Sequence, residues 1–557
     1  MGEAKLHMRA RLAGLLLVVI VTLTACSGKS GGTTATTSAP GSAGGGVNPT
    51  SAQPTDVVTY KYDLARTGQN VTESILTLAN VNSASFGLLR FLATDGKVDA
   101  QPLYLAGLSV QGAKHNVLLV ATENDSVYAF DADSGATLWH VSVLPAGETV
   151  DDLPTYGCTQ VAPTIGITST PVIDRGAGAH GTIFVVAMSR GPAGATYHQR
   201  LHALDVTTGA ELLNGPVNIS ATYPMTGGTT AFDPSQHVAR AALLLAGGTI
   251  YTSWTSHCDS GPYYGWILAY SESTLAQTAV LNVAPNSGGR GPAIWMSGGG
   301  PAADSSGNVY LLTANGAFET SLDANGFPSG GDYGNSFLKL STAGGTLSVA
   351  DYFAMSNEVD ESDNDQDLGS GGILLLPDMT DSGGTVRHLA VGAGKDSNLY
   401  VVNRDSMGKF NPNTNNIWQQ LSGALPGGIW SSPAYFNGAV YYGPVNGALV
   451  AFPITATRLA GTPSSSTTTN FTYPGTSPAV SANGTGNGIV WAHENSNPAV
   501  LHAYDASNLA HELYNSSQAA NGRDQFGAGN KFITPAIADG KVFVGAQTGV
   551  AVFGLLN

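Results

Sequence analysis

Carboxylates crowd one short stretch of the chain. Asp360-Glu361-Ser362-Asp363-Asn364-Asp365-Gln366-Asp367 alternates acids and amides in the manner of a calcium-binding loop, since a hard divalent cation wants several oxygen ligands. Counted from Asp363, the stretch lacks the Gly at position six and the Glu at position twelve, so it is not an EF-hand. A solvated acidic loop is the competing reading. Gly394-Lys395-Asp396 supplies a cation, but Asp396 stands where a phosphate loop needs Ser or Thr, and position 389 is Leu rather than Gly. Asp381-Ser382-Gly383-Gly384 echoes a serine nucleophile elbow, although ordinary turn chemistry accounts for it. The 12 His show no paired spacing, and an oxidised Cys258 between His257 and Asp259 argues against a metal pair there. Further polar groups sit in Glu123-Asn124-Asp125, at Asn315 and in Glu494-Asn495.

These residues need a scaffold that brings distant loops together, and the body of the chain repeats itself. Thr534-Pro535-Ala536-Ile537-Ala538-Asp539-Gly540-Lys541-Val542-Phe543 reads as a short apolar strand opened by Pro, a Gly turn and a second strand. Pro can start a strand but not occupy its middle. The same opening recurs at Gln101-Pro102, Thr170-Pro171, Gly300-Pro301, Ser432-Pro433 and Ser477-Pro478, and without Pro near Ala241–Ile250 and Gly371–Leu376. With 71 Gly and only 11% charged residues in 557, the composition suits many short strands joined by tight turns. The repeat predicts an all-β fold, a single β-propeller of about eight four-stranded antiparallel blades, in which radial repetition replaces free sheet edges. The final unit has only three strands, so Phe86–Ala93 from the N-terminal side is expected to close it. Loops entering the innermost strand, and loops joining the second and third strands, then crowd one face of the axis, where the polar residues above are the site candidates.

A second signature gives the repeat a family resemblance. Ala129-Phe130-Asp131-Ala132-Asp133-Ser134-Gly135-Ala136-Thr137-Leu138-Trp139 is a strand, an Asp/Gly turn and a returning strand. It resembles the tryptophan-docking motif of quinoprotein propellers, and Asp63-Leu64-Ala65-Arg66-Thr67-Gly68 resembles their opening segment. Only this first copy keeps its Trp; the copies at Ala203–Leu213, Ala269–Ser271 and Ala503–Asp505 do not. The resemblance to quinoprotein (pyrroloquinoline-quinone) alcohol dehydrogenases covers nearly all of Tyr60–Leu556. It implies a quinone and a calcium ion held on the axial face. On that basis Asp259, Asn315 and Asp367 correspond to the calcium ligands, Asp367 to the general base, and Lys395 to the cation that contacts the quinone. Trp295 and Trp430 are the candidates for an aromatic wall. The chain departs from the pattern at three points: it has no Cys-Cys pair, Gln366 replaces the Trp before the base, and neither Trp aligns cleanly with a stacking floor.

The N-terminus predicts export. Lys5, Arg9 and Arg11 precede a short apolar run, Leu12 to Val21, and then Leu23-Thr24-Ala25-Cys26, which resembles a lipobox. Residues 1–25 are therefore expected to be a lipoprotein signal peptide, with Cys26 lipidated. Residues 26–56 form a Gly/Ser/Thr/Pro-rich tether, and 57–557 form the propeller. The remaining cysteines, Cys158 and Cys258, are expected to pair in an oxidising compartment.

Two functional readings follow. One is an extracytoplasmic binding or scaffold module, a monomer anchored to the cell membrane or outer membrane by lipid alone. It would hold an envelope protein, a peptide or a polymer, as a lipoprotein propeller of outer-membrane assembly resembles it in anchor and fold. The other is a quinone- and calcium-dependent dehydrogenase of an alcohol or sugar, whose electron acceptor is separate because no C-x-x-C-H haem motif is present. A net charge of −16 without a basic cluster excludes nucleic acid as the partner.

Overall fold

The computed structural model describes residues 56–151, 158–194 and 196–556. The expected leader 1–25, the lipidation site Cys26 and the tether up to Thr55 lie outside the described residues. Asp56 already belongs to the folded body, bonded to Arg175 at 2.7 Å.

Eight four-stranded blades follow one another around an axis. They span 103–142, 172–218, 244–282, 302–354, 374–421, 434–471, 479–515 and 536–555, the last completed by Phe86–Ala93. Each of the eight openings read in the sequence begins a blade. The closing strand pairs antiparallel with Gly549–Leu555, from Phe86 opposite Leu555 to Ala93 opposite Gly549. Within each strand alternate side chains face the adjoining blades, and the apolar residues so placed are buried almost without exception.

Trp139 fixes one seam between blades. Its indole Nε1–H donates to the Val206 carbonyl of the next blade at 3.0 Å, and its ring lies against Gly209. That glycine has φ +71, and a Cβ there would come within 2.8 Å of the indole. A second tryptophan does the same work elsewhere. Trp418 donates to the Thr457 carbonyl at 2.9 Å, held between the guanidinium groups of Arg387 and Arg458 at 4.9 and 4.0 Å. The sequence concealed it, because a long turn separates it from its strand and the Thr-Gly spacing is lost.

The innermost strands are two to five residues long except in blade 1, where Leu103–Val110 has eight, and their inner edges face the axis. The segment Val57–Asn70 satisfies those edges in all eight blades. Val57 exchanges two backbone bonds with Tyr104, and Val58, Leu64, Ala65, Thr67 and Gly68 accept from Ile173, Ala303, Leu375, Tyr435 and Val480. Arg66 donates to Leu243 and Pro301 at 3.0 and 2.9 Å, and to Thr59 and Tyr60 within the segment. Blade 8 is reached through the Tyr62 hydroxyl, which accepts from the Ile537 amide, and through Asn70, which donates to its carbonyl. Lys61 adds bonds to the carbonyls of Ser432 and Pro478.

Cys158 and Cys258 are joined as a disulfide, with their Cα atoms 5.4 Å apart.

Arg66 is 2% exposed, so its removal leaves buried acceptors unmatched. Arg66→Met is expected to lower stability by about 3 kcal/mol or more, measured as a shifted urea midpoint. An unchanged midpoint would show that the segment does not hold the ring.

Candidate functional site

Five of the expected site residues meet on the axial face. Asn315 follows the strand Val309–Leu312 of blade 4, and Lys395 follows Leu389–Ala393 of blade 5. Asp367 stands just before the inner strand of blade 5, where its carbonyl accepts from the Lys395 amide at 2.9 Å. The Lys395 ammonium lies 2.6 Å from Asp367 Oδ2 and 2.7 Å from Asp365 Oδ1. The Asn315 amide N–H donates to Asp367 Oδ1 at 2.5 Å, and its side-chain amide donates to Asp365 at 3.0 Å. Asp259 lies close enough for its charge to bear on Asp367, and it accepts a bond from the Tyr263 hydroxyl. Its other bonds are to Ser256.

The aromatic candidates fall on two sides. Trp295 packs, half-buried, with Tyr263, Ala293 and Ala314. Trp430 lies 5.8 Å from the Lys395 ammonium and meets Tyr473 nearly edge-on, with centroids 5.8 Å apart. Tyr473 in turn meets Phe532 at 6.4 Å. The row Trp430–Tyr473–Phe532 is an aromatic wall of which the sequence reading found Trp430 but not Tyr473 or Phe532.

The acidic stretch is part helix and part solvated loop. Glu358–Asp363 is a short helix in which Glu358 and Glu361 are buried, while Asp360, Asp363, Asn364 and Asp365 are exposed. Burial pushes the Glu358 carboxyl up to about 8, and Asp365 is committed to Lys395.

A second polar group lies across the aromatic wall. Lys97 pairs with Asp99 at 3.1 Å, and Asn530 donates to Asp99 at 2.5 Å. Glu123 accepts from the Gly166 amide and the Thr168 hydroxyl and is hydrogen-bonded to Asp99. Burial, then the charge of Asp99, raises Glu123 far above the usual carboxylate range. Asp99 is also buried, yet the charges of Lys97 and Arg240 hold it below that range. The proton of the pair therefore sits on Glu123. Lys97, Asp99, Arg240 and Lys531 escaped the sequence reading, which favoured loops over the residues that lead into strands.

A calcium ion does not fit this arrangement. The two oxygens of Asp367 are taken by an amide N–H and an ammonium group, and Asp365 shares that same ammonium. Lys395 thus supplies the positive charge that a metal would otherwise bring to the carboxylates. Among the described residues no three His, Cys, Asp or Glu side chains gather as a metal site.

No protein-family model and no curated protein matches the sequence; solved structures do match. The quinohemoprotein alcohol dehydrogenase of Comamonas testosteroni aligns over 90% of this chain and 80% of its own, with TM-score 0.57 and 16% identity. The fold is the quinoprotein alcohol dehydrogenase propeller. The quinohemoprotein alcohol dehydrogenase ADHIIG of Pseudomonas putida HK5 gives TM-score 0.56 at 12% identity, over 90% of this chain and 80% of that one. A europium-containing methanol dehydrogenase gives 0.54 at 15%, over 90% and 98%. At these identities the likeness to the quinoprotein propeller is one of fold.

Burial raises Asp367 to about 6 against the opposing pull of Lys395. At Lys395 burial acts to lower the pKa, but the charges and bonds of Asp367 and Asp365 outweigh it and raise the group. The pair is therefore ionised at neutral pH. Between about pH 4 and 6 the folded protein keeps a proton on Asp367 that the unfolded chain has released. This group's contribution to stability is full below pH 4 and is lost as pH rises through 6. Carboxyl carbon NMR should show a midpoint near 6 for Asp367 that disappears in Asp367→Asn, while that of Asp332, also raised to about 6 by burial, persists; a midpoint near 4 for Asp367 would contradict the burial argument.

Proposed function

We propose that the protein is a binding module, carried outside the cytoplasm on a lipidated Cys26, that uses its axial face to hold a ligand or protein partner of the envelope. The Lys395 ammonium supports this reading. It pairs directly with Asp365 and Asp367, at 2.7 and 2.6 Å, and occupies the buried Asp367 carboxylate that calcium would need. The aromatic wall and the mixed charges beside it suit recognition, since flat aromatic faces with convergent polar groups mark binding surfaces.

The second reading is a quinone- and calcium-dependent dehydrogenase of an alcohol or sugar. It is favoured by the meeting of Asn315, Asp367 and Lys395 in one cluster, and a carboxyl that titrates near 6 is a serviceable general base.

Titration of the purified protein with pyrroloquinoline quinone and calcium, followed by melting temperature, separates the two. A ligand at a hundredfold excess over its dissociation constant adds about 2.7 kcal/mol, which a melting curve resolves. The binding-module reading expects no shift. A rise abolished by both Asp367→Ala and Lys395→Ala would overturn it in favour of the dehydrogenase. The anchor is tested separately: Cys26→Ser should move the protein from the membrane fraction to the soluble one. Unchanged fractionation would refute lipidation.

A further inference from the structure

Arg240 is a buried charge whose hydrogen-bonding capacity is largely unused. It lies immediately before the opening of blade 3 and is 1% exposed. Its guanidinium carbon is 5.3 Å from the centroid of Phe532. Nη1 reaches the Thr168 carbonyl at 3.5 Å, a long contact. Nε and Nη2 are buried and have no hydrogen-bond partner among the described residues. These two N–H groups run parallel along one edge of the guanidinium plane, the edge that grips a carboxylate with two bonds at once. Leaving that edge unmatched is strongly unfavourable.

The neighbouring acids cannot serve it. Asp99 feels the charge of Arg240, but its oxygens are engaged by Lys97, Asn530 and Glu123. Glu123 holds its proton. Lys531, next to Phe532 in the chain, meets only neutral oxygens among the described residues: the Thr159 carbonyl at 3.4 Å and Gln160 Oε1 at 3.3 Å. Lys97, Arg240 and Lys531 thus face one ionised carboxylate, Asp99, in a protein of net charge −16. The local surplus of positive charge calls for an anion.

The surroundings are shaped around the guanidinium. Gly298 has φ +83, and a Cβ there would stand 2.5 Å from Nη1. Phe532 has φ +64, a left-handed conformation that aromatic residues rarely adopt and that surrounding structure must enforce. Its half-buried ring lies over the guanidinium, and Tyr473 continues the apolar surface.

We propose that the Nε/Nη2 edge of Arg240, with Lys531 beside it, binds the carboxylate of a small organic acid whose flat apolar part lies against Phe532 and Tyr473. The ring of Phe532 turns aside to admit it. The site goes beyond the binding-module reading and does not depend on it: a protein on the rim, or a quinone at Lys395, leaves Arg240 with the same two unmatched N–H groups.

Fluorine NMR of the purified protein with 4-fluorobenzoate tests the proposal, with neutral 4-fluorobenzyl alcohol as the comparison. Saturable binding of the acid and none of the alcohol is expected. Arg240→Lys, which keeps the charge but loses the fork, should weaken binding roughly tenfold or more. Lys531→Met, at a half-buried position whose ammonium makes only long bonds to neutral oxygens, should weaken it less. Equal binding of acid and alcohol, no saturation, or unchanged affinity in both variants would overturn the site. Displacement by inorganic phosphate at concentrations where added benzoate has no effect would overturn the carboxylate assignment.

Discussion

Backbone groups on the inner edges of eight blades converge on one axis, and no blade can satisfy them for its neighbour. An unpaired amide or carbonyl buried there costs free energy comparable to a lost hydrogen bond. The segment Val57–Asn70 resolves this by threading the centre of the ring and bonding to every blade. Arg66 and Lys61 suit the task because cationic donors can engage several carbonyls each, although burial pulls Lys61 down to about 7. The rest of the molecule depends on this core. The axial face can carry strained backbone and buried charge because its blades are already joined elsewhere.

On that face two polar groups lie on either side of one aromatic wall, and they settle their charges differently. At Lys395 one ammonium contacts two aspartates directly and leaves one negative charge over. Around Arg240 cations outnumber the ionised acids, and a carboxyl pair lowers its own repulsion by sharing a proton. Opposite charge surpluses a few residues apart give the face a direction, and direction is what a recognition surface needs.

Much of this was legible in the residues. Six openings with Pro and two without it located all eight blades, and Phe86–Ala93 was identified as the closing strand with the bounds it has in the structure. Strand periodicity and turn residues are local signals, so they survive in a single sequence. Asn315, Asp367 and Lys395 were found because a family resemblance marked them. Trp418 was not, since insertion of a long turn erased the spacing that made Trp139 recognisable. Asp99, Phe532 and Trp430 share a simpler signal that was overlooked: each stands two residues before a blade opening, at Gln101, Thr534 and Ser432. At Asp99 and Trp430, side chains two apart on an extended chain share a face, so the register of the repeat already aimed them at the axis; Phe532, with φ +64, departs from that register. That Lys395 would pair with Asp365 and Asp367 rather than leave them to a metal is a matter of three dimensions, and no spacing encodes it.

The closing strand also sets an order of events. Phe86 pairs with Leu555, so the ring is sealed by residues at opposite ends of the body. As the chain leaves the ribosome, Val57–Asn70 and Phe86–Ala93 emerge first, and their partners in blades 7 and 8 come last. Contacts this distant in sequence form slowly, because a long loop must be closed before they return any stabilisation. Until synthesis ends, the early blades carry exposed edges open to aggregation. Such a chain gains from being kept unfolded until its final residues are available.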